Sequence, residues 1–136
     1  MIKGISHVGI AVKNLDEAVT YYEKVFGLRC SEPEAFGELR FSFVPLGETR
    51  VELLESTTAE GVIRKFIDKK GEGVHHLSYE VDDIEGEVAA MKARGMEFVT
   101  EKPYLNAHQD LVIFLHPRST KGVLTELIQV TGRKQE

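Results

Sequence analysis

Two stretches of the chain, beginning at Gly4 and at Gly73, follow the same residue pattern 69 positions apart. Each runs from glycine through an apolar and a polar residue to a histidine, and then continues as an alternating run that ends in valine. His7 and His76 therefore hold the same place in a repeated strand. Because a module of half the chain's length cannot bury both faces of a sheet alone, the repeat predicts two modules that pack on each other or on another subunit.

The apolar periodicity predicts a βαβββ order in each half of the chain. We expect one α+β domain over residues 1–136, with module one at 4–55, a helical connector at 57–72 and module two at 73–130. The predicted elements are, in chain order, strand 4–12, helix 15–26, strands 28–32, 38–45 and 49–55, helix 57–70, strand 74–81, helix 84–94, and strands 96–101, 111–116 and 122–130.

Composition excludes several classes of protein. The net charge of −5 argues against nucleic acid as a partner, since such proteins usually present a basic face. No apolar run approaches the roughly 18 residues of a membrane span, so no membrane partner is expected. The first residues lack the basic start and apolar core of a signal peptide, and a single cysteine fits a reducing compartment. We therefore expect a cytoplasmic protein.

The carboxylates Glu52 and Glu126 are duplicated in the same way as the histidines. Each is followed by leucine near the end of its module, and Pro45 and Pro117 precede them with a spacing that is two residues longer in module two. A carboxylate on an apolar strand face is costly to bury unless a positive group meets it. If the modules are related by a pseudo-twofold axis, two imidazoles and two carboxylates converge, which suits a divalent transition metal.

Three segments carry a resemblance to a known family. They are HVGIAV at 7–12, GVHHL at 73–77 and, most specifically, IFLHPRSTKGVLTEL at 113–127. On these segments the chain resembles the vicinal oxygen chelate (glyoxalase) superfamily and, within it, the methylmalonyl-CoA epimerases. The resemblance implies paired βαβββ modules that form a cupped mixed sheet around one metal ion, usually in a homodimer.

The same resemblance implies the metal ligands and the reaction. It assigns His7, His76 and Glu126 as ligands and places a fourth at Glu52, where relatives carry glutamine or glutamate. Cobalt, manganese, nickel and zinc all accept these donors. The implied function is interconversion of the (R) and (S) forms of methylmalonyl-CoA, an acyl-CoA substrate, by proton abstraction at C2 through a metal-stabilised enolate.

Candidates for proton transfer and for substrate binding are less direct. Glu126 and Glu52 are candidates as both ligand and base. Some relatives carry a glutamate on the strand before the Pro45 turn, where this chain has Arg40, and Glu38 on the same predicted strand face is the substitute that we consider. The side chains that we expect to bind the acyl-CoA, near the last strand, are those of Arg118, Lys121 and His116.

Two other functions remain open on the sequence alone. A lactoylglutathione lyase or related glyoxalase would use the same metal and enediolate chemistry on a glutathione hemithioacetal. A non-catalytic small-molecule binding protein of the same fold is the alternative from another class. The intact set of four ligands argues against the binding protein, while the 113–127 segment favours the epimerase over the lyase.

Overall fold

The computed structural model describes residues 1–131. It contains eight strands, three α-helices and one 3-10 turn within that range. In chain order they are β1 (Ile2–Ala11), α1 (Leu15–Phe26), β2 (Glu34–Phe36), β3 (Leu39–Leu46), β4 (Thr49–Ser56), α2 (Val62–Lys70), β5 (Gly73–Val81), α3 (Ile84–Ala93), β6 (Tyr104–Leu105), β7 (Leu111–Leu115), the 3-10 turn Pro117–Ser119, and β8 (Thr125–Gln129).

Each half of the chain has the βαβββ order that the sequence predicts, with the same strand pairing. In module one the strands lie in the order β2-β3-β4-β1, and in module two they lie in the order β6-β7-β8-β5. The first strand of each module pairs in parallel with its last strand, and the remaining pairs are antiparallel. The predicted α+β class with mixed pairing is therefore confirmed.

Each module packs its helix on one face of its strands, and equivalent residues form the two cores. Module one buries Val12, Leu15, Val44 and Leu53 beneath α1. Module two buries Val81, Ile84, Leu115 and Leu127, together with Val88 and Ile113. Since alternate residues of a strand point to opposite faces, this packing leaves His7 and His76 on the face that the helices do not cover.

The helix ends follow the sequence signals. Asn14 accepts a hydrogen bond from the Glu17 amide at the start of α1, and Gly27 ends that helix in the left-handed conformation at φ 66°. Asp83 begins α3 in the same way by accepting from Gly86. These caps satisfy backbone groups that a helix end otherwise leaves without partners. They also fix where each first strand passes into its helix.

The second strand of each module lies later in the chain than predicted. The prediction at 28–32 was wrong, because the Ser31 hydroxyl bonds to the Phe43 amide and Pro33 lacks an amide donor, so β2 begins only at Glu34. The prediction at 96–101 was also wrong. That segment forms a single bridge between Phe98 and Leu115.

Two connections also differ from the prediction. Helix α2 begins at Val62 rather than at residue 57, because the amide and hydroxyl of Thr57 both bond to the carbonyl of Glu38. The turn before β8 is longer than predicted. Phe43 pairs with Glu52, 9 positions later, and Phe114 pairs with Glu126, 12 positions later, so module two has three extra residues and not two.

Contacts divide the described chain into two compact units, His7–His75 and a second unit made of Met1–Ser6 with the described residues from His76 to Thr131. In the second unit the amino group of Met1 bonds to Asp82 and Glu87, and Lys3 pairs with Glu80. No helix in residues 1–131 has the length and apolar character that crossing a bilayer requires.

Candidate metal centre

In module one, β1 and β4 bring His7 and Glu52 together. His7 lies opposite Arg50 in the parallel register, so Glu52, two residues further along β4, projects from the same face. The Nε2 atom of His7 is 3.3 Å from Oε1 of Glu52. His7 is buried and Glu52 is half-buried. The two side chains thus form one group of nitrogen and oxygen donors.

Aromatic rings border this pair. The Phe43 ring makes an edge contact with His7 at a centroid distance of 6.2 Å, and the Arg50 guanidinium lies 3.9 Å above the Phe43 ring. A cation over an aromatic face is attracted by the ring quadrupole. Arg50, which the sequence analysis did not single out, therefore adds a positive charge to the face that carries His7.

In module two, β5 and β8 place His76 and Glu126 on one face. Ser78, two residues after His76, lies opposite Glu126 in the parallel register. His76 is 5% exposed and Glu126 is 6% exposed. The Phe114 ring, which pairs with Glu126 across β7, makes an edge contact with His76 at 5.4 Å. The arrangement repeats that of His7, Glu52 and Phe43 in module one.

Three of the four predicted ligands form one group. The donor atoms of His7, Glu52 and His76 all lie within 4.8 Å of one another. Two ligand atoms that are each about 2.1 Å from a shared ion lie at most about 4.2 Å apart, so a bound divalent cation would draw these donors slightly closer together. Imidazole and carboxylate donors also suit zinc, cobalt, nickel and manganese. Glu126 is not part of this group of three.

Glu38, the third predicted candidate for proton transfer, and Arg40 lie elsewhere in module one. Glu38 accepts a hydrogen bond from the Val62 amide at the start of α2. Arg40 points to the helix side of the sheet, where it pairs with Glu55 and Asp16, each at 3.3 Å. Both side chains therefore have partners of their own within this unit.

Glu34, which the sequence analysis missed, lies on the same face as His7. It pairs with Phe41 across β2 and β3, and Phe41 pairs with Leu54, two residues beyond Glu52 on β4. Residues that pair directly project to the same side of a sheet, so Glu34, Phe41 and Glu52 share one face. The available signal was Pro33, which is tolerated only at strand starts, edges and bulges and so favours a strand that starts near Glu34.

The equivalent position in module two is Tyr104. It pairs with Val112, which pairs with Ile128, two residues beyond Glu126 on β8. Burial raises the pKa of the Tyr104 phenol above its usual value, and the charge of Glu126 raises it further. The phenol is therefore a neutral donor at physiological pH, and it faces the same side as Glu126.

The three side chains that we expected to bind substrate lie around the turn before β8. The Arg118 guanidinium donates two hydrogen bonds to Glu97, at 2.7 and 3.2 Å, and this contact lowers the pKa of the Glu97 carboxyl. The Nδ1 atom of His116 accepts a hydrogen bond from the Arg118 amide and so caps the 3-10 turn. Lys121 is exposed and adopts the left-handed conformation at φ 59°.

Sequence comparison places this geometry in a family. The family model for the glyoxalase/bleomycin resistance protein/dioxygenase superfamily matches residues 6–114. A mitochondrial methylmalonyl-CoA epimerase of Dictyostelium discoideum is 39% identical over 126 residues, which are 90% of this chain and 76% of the relative. An ethylmalonyl-CoA/methylmalonyl-CoA epimerase of Cereibacter sphaeroides is 34% identical and is covered in full, against 96% of this chain.

A solved structure agrees with these relatives. A variant of the Streptomyces coelicolor methylmalonyl-CoA epimerase, in complex with 2-nitronate-propionyl-CoA, superimposes with a TM-score of 0.92 at 27% identity over all of both chains. The profile match covers more than half of the chain, and the curated relatives exceed 30% identity over most of their length. The chain therefore belongs to the glyoxalase/bleomycin resistance protein/dioxygenase superfamily and, within it, to the family of the methylmalonyl-CoA epimerases.

Proposed function

We propose that the protein interconverts (R)- and (S)-methylmalonyl-CoA by removing the C2 proton of the acyl group and returning a proton to the other face. The observation that carries the proposal is the group formed by His7, Glu52 and His76 in a chain whose relatives are methylmalonyl-CoA epimerases. The acidity of a proton next to a thioester carbonyl depends on how well the resulting negative charge is stabilised. Imidazole and carboxylate donors within 4.8 Å are suited to hold a cation that does this.

We assign His7, Glu52, His76 and Glu126 as the ligands of one divalent cation. The first three form the compact group, and Glu126 lies on the face of module two that carries His76. When bound, the cation would supply Lewis-acid stabilisation of the oxygen that becomes negative as C2 loses its proton. Zinc, cobalt, nickel and manganese all fit the donor set.

Glu34 and Glu126 are our candidates for the two proton-transfer groups, one from each module. A general base needs a carboxylate within reach of the proton that it takes, and Glu34 is on the same face as His7 and Glu52. Glu38 instead accepts a hydrogen bond at the start of α2, so we propose Glu34 in its place. Glu126 would combine ligation with proton transfer, and Glu52 would act as a ligand.

The acyl-CoA substrate carries phosphates and a carboxylate, so it needs cations. Lys121 and Arg118 near β8 are candidates for the phosphates, and His116 would position the turn that carries them. Arg50, above the Phe43 ring, offers a charge closer to His7. In this proposal the exposed Lys121 and Arg118 bind the CoA phosphates, and the half-buried Arg50 binds the acyl end of the substrate.

We also propose a cytoplasmic homodimer. The family resemblance supports the dimer, and the single cysteine fits a reducing compartment. Light scattering coupled to size exclusion tests the oligomeric state directly, and a species with the 15.3 kDa mass of one chain at micromolar concentration would reject the dimer.

Proton exchange at C2 tests the proposed reaction. The metal-loaded protein is incubated with methylmalonyl-CoA in deuterium oxide, and loss of the C2 proton signal is followed by NMR. Exchange together with interconversion of the two epimers is the expected result. Turnover of only the methylglyoxal–glutathione hemithioacetal would make the protein a glyoxalase, and a metal complement with neither activity would make it a binding protein. Either outcome rejects the epimerase.

A further inference from the structure

The two modules place different side chains at one equivalent position on the face that carries the metal ligands. Glu34 lies on β2 and pairs with Phe41, two residues before the phenylalanine that pairs with Glu52. Tyr104 lies on β6 and pairs with Val112, two residues before the phenylalanine that pairs with Glu126. Phe41 and Phe43 define this position in module one, and Val112 and Phe114 define it in module two. The structural repeat therefore relates a carboxylate to a phenol.

Tyr104 lies on the face of module two that carries Glu126, because it pairs with Val112 and Val112 pairs with Ile128, two residues beyond Glu126. Its side chain is also 43% exposed, so a ligand can reach it from solvent. Within residues 1–131, its hydroxyl makes no hydrogen bond. A neutral phenol can donate one hydrogen bond through its O–H.

The backbone that carries Tyr104 is held firmly. After β6, the Asn106 side chain accepts hydrogen bonds from the amides of His108 and Asp110, at 2.9 and 3.0 Å. The buried Asp110 carboxylate accepts from the Thr131 amide at 3.0 Å, which ties the hairpin to the end of β8. A donor on an ordered hairpin loses little conformational freedom on binding a ligand.

We infer that Tyr104 is a substrate-contacting residue whose phenol O–H donates a hydrogen bond to an anionic oxygen of the bound acyl group. The inference rests on the proposed function and deepens it. Module one would supply the carboxylate that takes a proton, and module two would supply, at the equivalent position, a donor that orients the acyl group. Hydrogen bonds to charged oxygens are among the stronger polar contacts in proteins.

The test is Tyr104→Phe, which removes only the hydroxyl. We expect kcat/KM for methylmalonyl-CoA to fall by about ten- to a hundredfold, the usual range for losing a hydrogen bond to a charged group. The dissociation constant of 2-nitronate-propionyl-CoA, whose nitronate carries anionic oxygens, should rise by a similar factor. Metal content should stay at the wild-type level.

Two control variants match this change. Tyr21→Phe removes a hydroxyl from an exposed tyrosine on α1, and Leu105→Ala truncates the neighbouring residue of β6, which projects to the other face. Both should leave analogue affinity unchanged. A Tyr104→Phe variant with wild-type kcat/KM and analogue affinity would overturn the inference. So would one that lost metal instead, because the phenol would then act on Glu126 and not on the substrate.

The inference and the proposed function fail in different ways. A wild-type protein that shows no C2 exchange with full metal occupancy rejects the epimerase, whatever Tyr104 does. A wild-type protein that exchanges C2, with a Tyr104→Phe variant that exchanges at the same rate, rejects only the substrate contact.

Discussion

Modules one and two share a framework and differ in the chemistry placed on it. The core residues beneath α1 have buried counterparts in module two, with Val12, Leu15 and Leu53 equivalent to Val81, Ile84 and Leu127. The histidine and glutamate positions correspond as well. Between them, however, module one has Gly9 where module two has Ser78. The repeat has thus kept its core and its proposed metal donors, while the neighbouring positions have diverged.

The donors also differ in burial. Glu126 is 6% exposed and lies on a strand whose flanking residues are buried, whereas Glu52 is half-buried and close to His7. A more buried carboxylate depends more strongly on its partners, because water can replace less of a lost contact. We therefore expect the two modules to respond unequally to the same substitution, although their backbones are equivalent.

The largest effect should follow removal of a histidine. His76→Ala should abolish stoichiometric binding of the divalent cation and leave the fold intact, because the strand keeps its register without the imidazole. Activity should fall by more than about a hundredfold, since even the groups that support a ligand contribute 10–100-fold. Elemental analysis and circular dichroism measure the two outcomes.

The control for that variant is His75→Ala. His75 projects to the other face of β5, where its ring contacts Phe66 at 5.0 Å. Its loss should leave the metal content unchanged. A full metal complement in His76→Ala would reject the ligand assignment.

The next largest effect should distinguish the role of Glu126 from that of Glu52. Glu126→Gln should lower kcat by roughly 10²–10⁴-fold, the range of general acid–base catalysis. Glu52→Gln should lose less, because glutamine keeps an oxygen donor and Glu52 is proposed only as a ligand. Steady-state kinetics with the exposed variant Glu85→Gln as control measures the difference. Equal losses in the two variants would remove the functional distinction between the modules, and near-normal turnover of Glu126→Gln would remove that residue from the mechanism.

A smaller loss of substrate affinity should follow from substitutions in the turn before β8, which is longer in module two than its equivalent in module one. Arg118→Ala combined with Lys121→Ala should raise the KM for acyl-CoA about two- to fivefold, the range expected of exposed ion pairs. Lys121 should contribute the larger share, because the Arg118 guanidinium is already bonded to Glu97. Kinetics at low and high salt, with Lys24→Ala on α1 as control, tests this. An unchanged KM would reject the phosphate contact.

The smallest effect concerns Ser78. Its fully buried hydroxyl has no hydrogen-bond partner among residues 1–131. Ser78→Ala should therefore leave the free energy of unfolding unchanged or raise it by about 1 kcal/mol, since it removes a polar group that burial disfavours. Ser42→Ala is the matched variant, because the equally buried Ser42 hydroxyl donates to the Ser31 carbonyl at 2.6 Å. That change should lower stability by about 1 kcal/mol.

Denaturant unfolding of both serine variants measures the two changes in the free energy of unfolding. A loss of stability in Ser78→Ala as large as that in Ser42→Ala would show that the Ser78 hydroxyl has a favourable contact in solution. The Ser78 hydroxyl would then stabilise module two, whereas Gly9, at the same position of module one, has no side chain that could do so.

The sequence predicts the long elements and the four proposed ligand positions because they depend on local patterns. Alternation in β1 and β5 fixes which face His7 and His76 share, and the caps at Asn14 and Asp83 fix where the helices begin. The duplication identifies Glu52 and Glu126 without knowledge of the fold. The alternation and the caps are encoded within a few residues of each position, and the duplication can be read by comparing the two halves of the sequence.

The short outer strands could not be predicted in the same way. Strand β2 has three residues and β6 has two, which are too few for a period-two signal. Their places depend on pairing with β3 and β7, that is, on contacts distant in sequence. For that reason Glu34 and Tyr104 were missed, and Glu38 was considered as the substitute for the glutamate that some relatives carry at the Arg40 position.

The start of α2 has a consequence for the order of folding. Its first amides bond to Ser56 at the end of β4 and to Glu38 beside β3, and a methyl group on Gly61 would lie 2.2 Å from the Glu38 carboxylate. The first turn of a helix is the unfavourable step in its formation. Since the groups that complete this turn belong to the β3–β4 hairpin, nucleation of α2 should wait for the hairpin, and pulse-labelled amides of α2 should become protected after those of β3 and β4.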